Sequence, residues 1–117
     1  MNVLMILNDP PYGTEHTYNG LRLAVNLLSK PQDVSLTVFL MGDAVAAAKA
    51  GQQTPNGYYN LERMLKGVVT RKGRVLLCGT CMDARGLKAE EVVEGSCRST
   101  LDELTELTAA AEKVLVF

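Results

Sequence analysis

The 117-residue chain contains no tryptophan, a single histidine, three cysteines and only 5% aromatic residues. Its formal net charge is -1, whereas a general nucleic-acid binder carries a basic excess, so nucleic acid is not an expected partner. No apolar run approaches the roughly 20 residues of a membrane-spanning helix, so a membrane is not expected either. Three cysteines are an odd number, which fits a reducing compartment better than a disulfide framework. We therefore expect a cytoplasmic protein.

Motifs that bind nucleotides or build a catalytic triad are also missing. Neither GxGxxG nor a P-loop occurs, so the sequence gives no support for nucleotide binding. The one histidine, His16, has no Ser or Asp at a spacing typical of a triad. No cofactor is therefore expected. The hydrophobic content of 47% is enough to give one domain, over residues 1–117, its own core.

Four continuous apolar runs of strand length are present, at residues 3–7, 34–41, 74–78 and 113–117. Continuous runs indicate strands that are buried on both faces, as in a parallel sheet. Residues 94–99 give a weaker indication of a fifth strand. Helical spacing of apolar residues lies between these runs. Together they predict an α/β fold, a three-layer α/β/α sandwich with a mainly parallel sheet of four or five strands.

The helix boundaries are predicted from capping residues. Asn60 is the predicted N-cap of a helix over residues 61–68, and Thr100 and Glu103 stand at capping-box spacing before the last helix. Asp43 is predicted to cap a short helix over residues 44–50, which ends at Gly51. A further short helix is expected over residues 84–93, and residues 52–59 are expected to form a surface loop.

A ligand site is expected where three loops leave the carboxyl ends of the predicted strands. These loops are residues 8–14, 41–43 and the segment after residue 78. Prolines stiffen the first loop and Gly13 permits a turn there. We therefore expect Tyr12, Gly13, Thr14 and Asp43 to line a pocket, although the first loop also fits a simple strand-to-helix connection.

Two cysteines at CxxC spacing carry the strongest chemical signal. Cys78 and Cys81 stand where a buried strand ends and a helix begins, and the backbone N–H groups of a helix start favour a thiolate. Arg85 adds positive charge nearby. Cys78 and Cys81 are therefore the candidate catalytic residues, and Gly79, Thr80 and Arg85 are expected to line their pocket.

Three chemical interpretations of the cysteines stay open on the residues alone. A zinc site would use Cys78, Cys81, Cys97 and His16, but structural zinc sites show two close ligand pairs and here only one exists. A thioredoxin-like dithiol is the second interpretation, although that motif normally precedes a long helix. A sulfur carrier is the third, in which one cysteine holds a persulfide and passes it to another thiol without a metal. Cys97 is expected to be a packed, small hydrophobic residue.

The motif Cys78-x-x-Cys81-x-x-Ala84-Arg85-Gly86 resembles the cysteine motif of the DsrE/DsrF-like family, and specifically its YchN-like branch. Further agreement is found in the first strand and residues 8–15 that follow it, in residues 21–24, in residues 39–45 and in residues 111–117. The resemblance spans essentially the whole chain in one register.

The resemblance implies a small α/β/α domain that assembles as a homotrimer or as a homohexamer of two stacked trimers, with a site at subunit boundaries. Relatives in the relay branches carry a persulfide on the first cysteine of the motif, which corresponds to Cys78. Cys81 is matched in the YchN-like branch but not in the relay branches. Three possibilities therefore stay open for Cys81: it is a resolving thiol, it is a second sulfur acceptor, or it has no role in the chemistry. A short helix of small residues over 44–50, followed by Tyr58 and Tyr59, fits a subunit interface. Packing of this helix on the chain's own sheet fits the same residues, and both stay open.

The function that the resemblance implies is a small cytoplasmic sulfur carrier, with a sulfur-donor or acceptor protein as partner and no metal. Whether such a carrier also turns over as an enzyme stays open, and the activity that fits it is a sulfurtransferase-like persulfide transfer. Two alternatives stay open: a non-catalytic oligomeric protein that binds a small ligand or a partner, and a CxxC thiol redox switch.

Overall fold

Five parallel strands form the central sheet of the computed structural model, which describes residues 1–31 and 33–117. The strands are β1 (Asn2–Leu7), β2 (Ser35–Leu40), β3 (Arg74–Cys78), β4 (Ser96–Ser99) and β5 (Lys113–Val116). Their order in the sheet is β4-β3-β2-β1-β5, and each neighbouring pair is parallel. The predicted parallel sheet is thus confirmed, including its fifth strand.

Helices cover both faces of this sheet. They are α1 (His16–Ser29), α2 (Leu61–Thr70), α3 (Gly79–Ala84) and α4 (Leu101–Ala110). Gly20 of α1 packs against Leu7, whereas Leu107 of α4 lines a hollow with Leu4. Residues three apart on a strand point to opposite faces, so α1 and α4 lie on opposite sides of the sheet. The predicted three-layer sandwich is confirmed.

Two of the predicted helix caps are present. The Asn60 side chain accepts a hydrogen bond from the Arg63 N–H at 3.0 Å, and the Thr100 hydroxyl accepts one from the Glu103 N–H at 3.1 Å. The Glu103 carboxylate does not complete a capping box, because it accepts hydrogen bonds from Ser99 and Arg74 instead. At this helix start the Glu103 carboxylate therefore binds side chains of β3 and β4 instead of the backbone N–H of Thr100.

Two short helices differ from the prediction. Asp43 is not an N-cap: the segment is a 3-10 helix, Gly42–Ala48, that follows Met41, and the carboxylate of Asp43 binds Arg85 instead. The prediction of a helix over residues 84–93 is wrong. The helix α3 ends at Ala84, and Gly86 has a φ of 62°, which is outside the helical region. Only a 3-10 turn, Ala89–Glu91, follows it. Another such turn, Pro55–Gly57, interrupts the predicted loop.

The predicted helix of small residues, which is the 3-10 helix Gly42–Ala48, packs mostly in the interior of the fold. Ala44, Val45, Ala47 and Ala48 are 0% exposed, so this face of Gly42–Ala48 packs within this fold. Of the two expectations for this helix, packing on the chain's own sheet describes these four residues. None of the helices in residues 1–31 and 33–117 has both the length and the apolar character needed to span a membrane.

Candidate functional site

The Cys78 sulfur lies at the point where β3 ends and α3 begins. Cys78 is the N-cap of α3, and its Sγ accepts a hydrogen bond from the Cys81 N–H at 3.4 Å. The residue is only 9% exposed. The site therefore contains one sulfur that is largely removed from solvent and faces the backbone N–H groups of a helix start.

Burial raises the pKa of the Cys78 thiol above its ordinary value, and a hydrogen bond with the Cys81 side chain raises it further. The N–H groups of Cys81 and Thr80 act in the opposite direction, but their effect is smaller. The expectation that the helix start makes Cys78 a ready thiolate is therefore wrong. Removing the sulfur from water outweighs the N–H groups.

The Cys81 sulfur has a different environment. Cys81 is half-buried, and its Sγ accepts a hydrogen bond from the Gly42 N–H at 3.2 Å. Gly42 has a φ of 55°, and a Cβ there would lie 3.4 Å from the Asn8 carbonyl oxygen. The loops after β1, β2 and β3 thus meet at Gly42, because those strands are neighbours in the sheet.

Arg85 links two of these loops through its guanidinium. Nε and Nη2 donate to the same Asp43 carboxylate oxygen at 2.9 and 2.8 Å, and Nη1 donates to the Cys81 carbonyl at 3.0 Å. The predicted neighbours Asp43 and Arg85 therefore do lie together beside Cys81. Their ion pair holds the loop that provides the Gly42 N–H.

Arg98 is the cation that the sequence did not identify at this site. Its two terminal nitrogens donate to the two Asp83 carboxylate oxygens, both at 2.8 Å. This pairing raises the pKa of Arg98, and the charge of Cys78 raises it slightly further. A Cβ at Gly79 would lie 2.8 Å from the Arg98 Cζ. Glycine at position 79 therefore lets the guanidinium lie against the start of α3.

The signal that would have identified Arg98 is the register of β4. Ser99 pairs with Cys78 and Arg98 with Leu77, so the end of β4 lies next to the cysteine loop. That register follows only once residues 96–99 are recognised as the strand next to β3.

The remaining predicted pocket residues lie in a separate hollow. Tyr12, Gly13 and Thr14 line a depression of about 320 Å³ together with Tyr18 and Tyr59. The Tyr12 hydroxyl donates to Gln52 and accepts from the Leu61 N–H. Neither Cys78 nor Cys81 lines this hollow. The predicted pocket residues therefore divide into two groups: Tyr12, Gly13 and Thr14 line this hollow, whereas Asp43, Gly79, Thr80 and Arg85 lie around the cysteines.

Two further candidates lie outside the cysteine cluster. His16 is exposed, and its Nδ1 lies 2.6 Å from an Asp9 carboxylate oxygen. Cys97 is exposed on β4, so the expectation that it is packed is wrong. Within residues 1–31 and 33–117, no group of three or more His, Cys, Asp or Glu side chains is arranged to hold a metal ion.

Comparison with known proteins gives full-length matches. The family model described as the DsrE/DsrF-like family matches residues 1–117. Protein YchN of Escherichia coli K12 is 39% identical over 115 residues, which are 98% of this chain and 97% of that protein. Its crystal structure superposes with a TM-score of 0.93 and covers 99% of this chain and 98% of that one. An uncharacterized protein of Methanocaldococcus jannaschii is 32% identical over the full length of both chains.

Proposed function

The chain belongs to the DsrE/DsrF-like family, and on that premise we propose that it is a cytoplasmic sulfur carrier that holds a persulfide on Cys78. The family is one associated with sulfur relay. The observation that carries the proposal is the contrast between two adjacent sulfurs. Cys78 is buried at a helix start, and Cys81 is half-exposed and hydrogen-bonded to a backbone N–H.

Cys78 is suited to storing sulfur because its position combines low exposure with hydrogen-bond donors. A persulfide there would be shielded from other thiols by its 9% exposure. The N–H groups of Thr80 and Cys81 favour negative charge at this position, and the guanidinium of Arg98 lies against the same helix start. A terminal persulfide sulfur is anionic at neutral pH, and these groups stabilise it.

Cys81 is suited to accepting sulfur from a donor. Its sulfur is less buried than that of Cys78, and it accepts a hydrogen bond from the Gly42 N–H at 3.2 Å. In the proposed first step, the Cys81 thiolate attacks the terminal sulfur of a donor persulfide, R–S–SH. A bond forms between Cys81 Sγ and that sulfur, the donor S–S bond breaks, and the donor leaves as a thiolate with the electron pair.

Transfer to Cys78 follows by the same chemistry. The Cys78 sulfur attacks the terminal sulfur held on Cys81, so that a new S–S bond forms on Cys78 and the one on Cys81 breaks. The Cys78 thiol gives its proton to the leaving Cys81 sulfur, so charge and atoms balance. No net oxidation takes place, and no metal or cofactor is needed.

Single substitutions test the two roles. Each of the variants Cys78→Ser, Cys81→Ser and Cys97→Ser is treated with glutathione persulfide, and peptide mass spectrometry locates the added sulfur. We expect Cys78→Ser to retain sulfur only briefly on Cys81, Cys81→Ser to load Cys78 slowly, and Cys97→Ser to behave as wild type. Stable loading of Cys78→Ser to the wild-type level would refute storage on Cys78.

The proposal includes self-association as a homotrimer or homohexamer, as the family resemblance implies. Several large apolar side chains are left on the surface: Tyr58 is 71% exposed, Leu101 66% and Val116 64%. Such side chains favour burial against another subunit. Size-exclusion chromatography with light scattering tests this, and a monomer at micromolar concentration would contradict it.

A reversible dithiol switch is the second candidate, and the CxxC spacing with the Cys81 N–H 3.4 Å from the Cys78 Sγ favours it. In that case mild oxidation removes two hydrogens and joins the two sulfurs. Cys81→Ser would abolish this cycle, whereas under the carrier proposal the same variant still loads Cys78. The variant therefore distinguishes the two functions.

A further inference from the structure

A groove of about 760 Å³ runs between α1 and α2, and three arginines line it. We call it the arginine groove, after Arg22, Arg63 and Arg71. No carboxylate is among its lining residues. Over residues 1–31 and 33–117, none of the ion pairs involves these three arginines. The groove therefore presents three positive charges that the described chain does not neutralise.

Arg71 is held at one end of the arginine groove by neutral acceptors. Its Nε donates to the Ser29 hydroxyl and its Nη1 to the Gly67 carbonyl, both at 3.1 Å. A Cβ at position 67 would lie 3.3 Å from Nη1, so glycine leaves room for the guanidinium to lie over α2. The guanidinium is therefore positioned by two neutral acceptors, with no carboxylate among its hydrogen-bond partners.

Arg22 is held at the other end in a similar way. Its guanidinium carbon lies 5.7 Å from the centre of the Tyr18 ring, and Nη1 donates to the Asn19 side-chain oxygen at 3.4 Å. The contacts of the two guanidinium groups on α1, Asn19 and Ser29, are ten residues apart, which is roughly 15 Å along a helix axis. The two guanidinium groups thus lie about three helical turns apart.

Apolar side chains lie between these charges. Leu23 is 36% exposed, and Val25 and Met64 are partly buried members of the same lining. Apolar anchors flanked by charge match the binding of an amphipathic helix in a groove between helices. Carboxylates eleven residues apart on such a helix would be about three turns apart, like the two guanidinium groups.

We infer that the arginine groove binds an acidic, amphipathic helix of a partner protein. The inference goes beyond persulfide transfer and does not depend on it. Charge complementarity selects this partner, because three unpaired guanidinium groups favour carboxylates. Leu23 and Met64 would contact the apolar side chains between them.

The test uses a fluorescein-labelled peptide with two glutamates eleven residues apart that flank two leucines, titrated with the intact protein. We expect saturable binding that weakens with added salt. Arg22→Gln and Arg71→Gln should each weaken it about threefold, and the double variant about tenfold, as for exposed charge pairs. Arg63→Gln is a further variant that leaves the Arg71 contacts between α1 and α2 intact, and should also weaken binding about threefold.

Lys113→Gln on β5 is the matched control, since it removes one positive charge from outside the groove and should leave binding unchanged. Absence of binding by the wild-type protein, or equal binding by the arginine variants, would overturn the inference. Tighter binding of a labelled single-stranded oligonucleotide would overturn it in favour of nucleic acid. Loss of self-association in the Arg22→Gln/Arg71→Gln double variant, without peptide binding by the wild type, would overturn it in favour of a second copy.

Discussion

Glu62 is a buried carboxylate that holds the loop before α2, and replacing it by glutamine should destabilise the fold in a pH-dependent way. The residue is 8% exposed. One carboxylate oxygen accepts hydrogen bonds from the Gly51 and Gln52 N–H groups, at 3.0 and 2.8 Å. The other lies 3.2 Å from the Lys66 Nζ. Burial raises the pKa of Glu62, but the two N–H groups and Lys66 lower it by more, so the net pKa is below its ordinary value.

The size of the effect follows from these contacts. Glutamine keeps one oxygen for the two N–H groups, so both hydrogen bonds persist without their charge. A charged acceptor contributes about 1 kcal/mol more per hydrogen bond than a neutral one, and the partly exposed pair with Lys66 adds about 0.4 kcal/mol. We expect Glu62→Gln to lower the free energy of unfolding by about 2 kcal/mol near neutral pH.

The pH dependence has a fixed sign. Because the folded-state pKa is depressed, the stabilisation by Glu62 is fully present above the pKa of the unfolded chain. It is lost as the pH falls through the folded-state pKa. Urea unfolding followed by circular dichroism, from about pH 7 to about pH 2.5, should show a constant difference above about pH 5 and convergence of the wild type and Glu62→Gln below about pH 4.

The control for this prediction is Glu106→Gln, which replaces an exposed carboxylate on α4. It should change stability by less than about 0.5 kcal/mol. Equal effects of the two substitutions would refute the reasoning. A difference between wild type and Glu62→Gln that is independent of pH would refute it as well.

Three other outcomes are expected. Gly20→Ala should destabilise the fold by about 1–2 kcal/mol in urea unfolding, since its Cβ would lie 2.6 Å from Leu7 Cδ2 and 3.2 Å from Phe117 Cγ; unchanged stability would show that these side chains yield. The iodoacetamide rate of Cys78 should rise with pH with a midpoint above that of the denatured chain, because burial raises its pKa. A lower midpoint would contradict this. Arg98→Gln should slow that alkylation about twofold at fixed pH by removing the nearby cation, and an unchanged rate would exclude this role.

The central strands and the helices packed on them could be predicted from sequence because their signals are local. Residues 3–7 and 74–78 are continuous apolar runs, and Asn60 caps α2 through a bond to a residue three positions away. β4 was a weaker prediction since it is a polar edge strand, in which Ser96 is half-buried and only Ser99 is buried.

The cysteine site could be predicted only in part, because its side chains are held by partners distant in sequence. Asp43 has the local pattern of a helix cap, but Arg85 lies 42 residues away and takes its carboxylate. Arg98 reaches the site through the pairing of β4 with β3. The burial of Cys78 depends on the whole fold. The N–H groups of the helix start lower the pKa of Cys78 as expected from sequence, but burial raises it by more.

The central claim is that Cys78 stores sulfane sulfur. Its most direct test is peptide mass spectrometry of the wild-type protein after brief exposure to glutathione persulfide and removal of the reagent. If Cys78 stores sulfane sulfur, we expect one added sulfur atom on Cys78 and none on Cys81. No added sulfur on either cysteine, or only the loss of two hydrogens that joins Cys78 to Cys81, would contradict it.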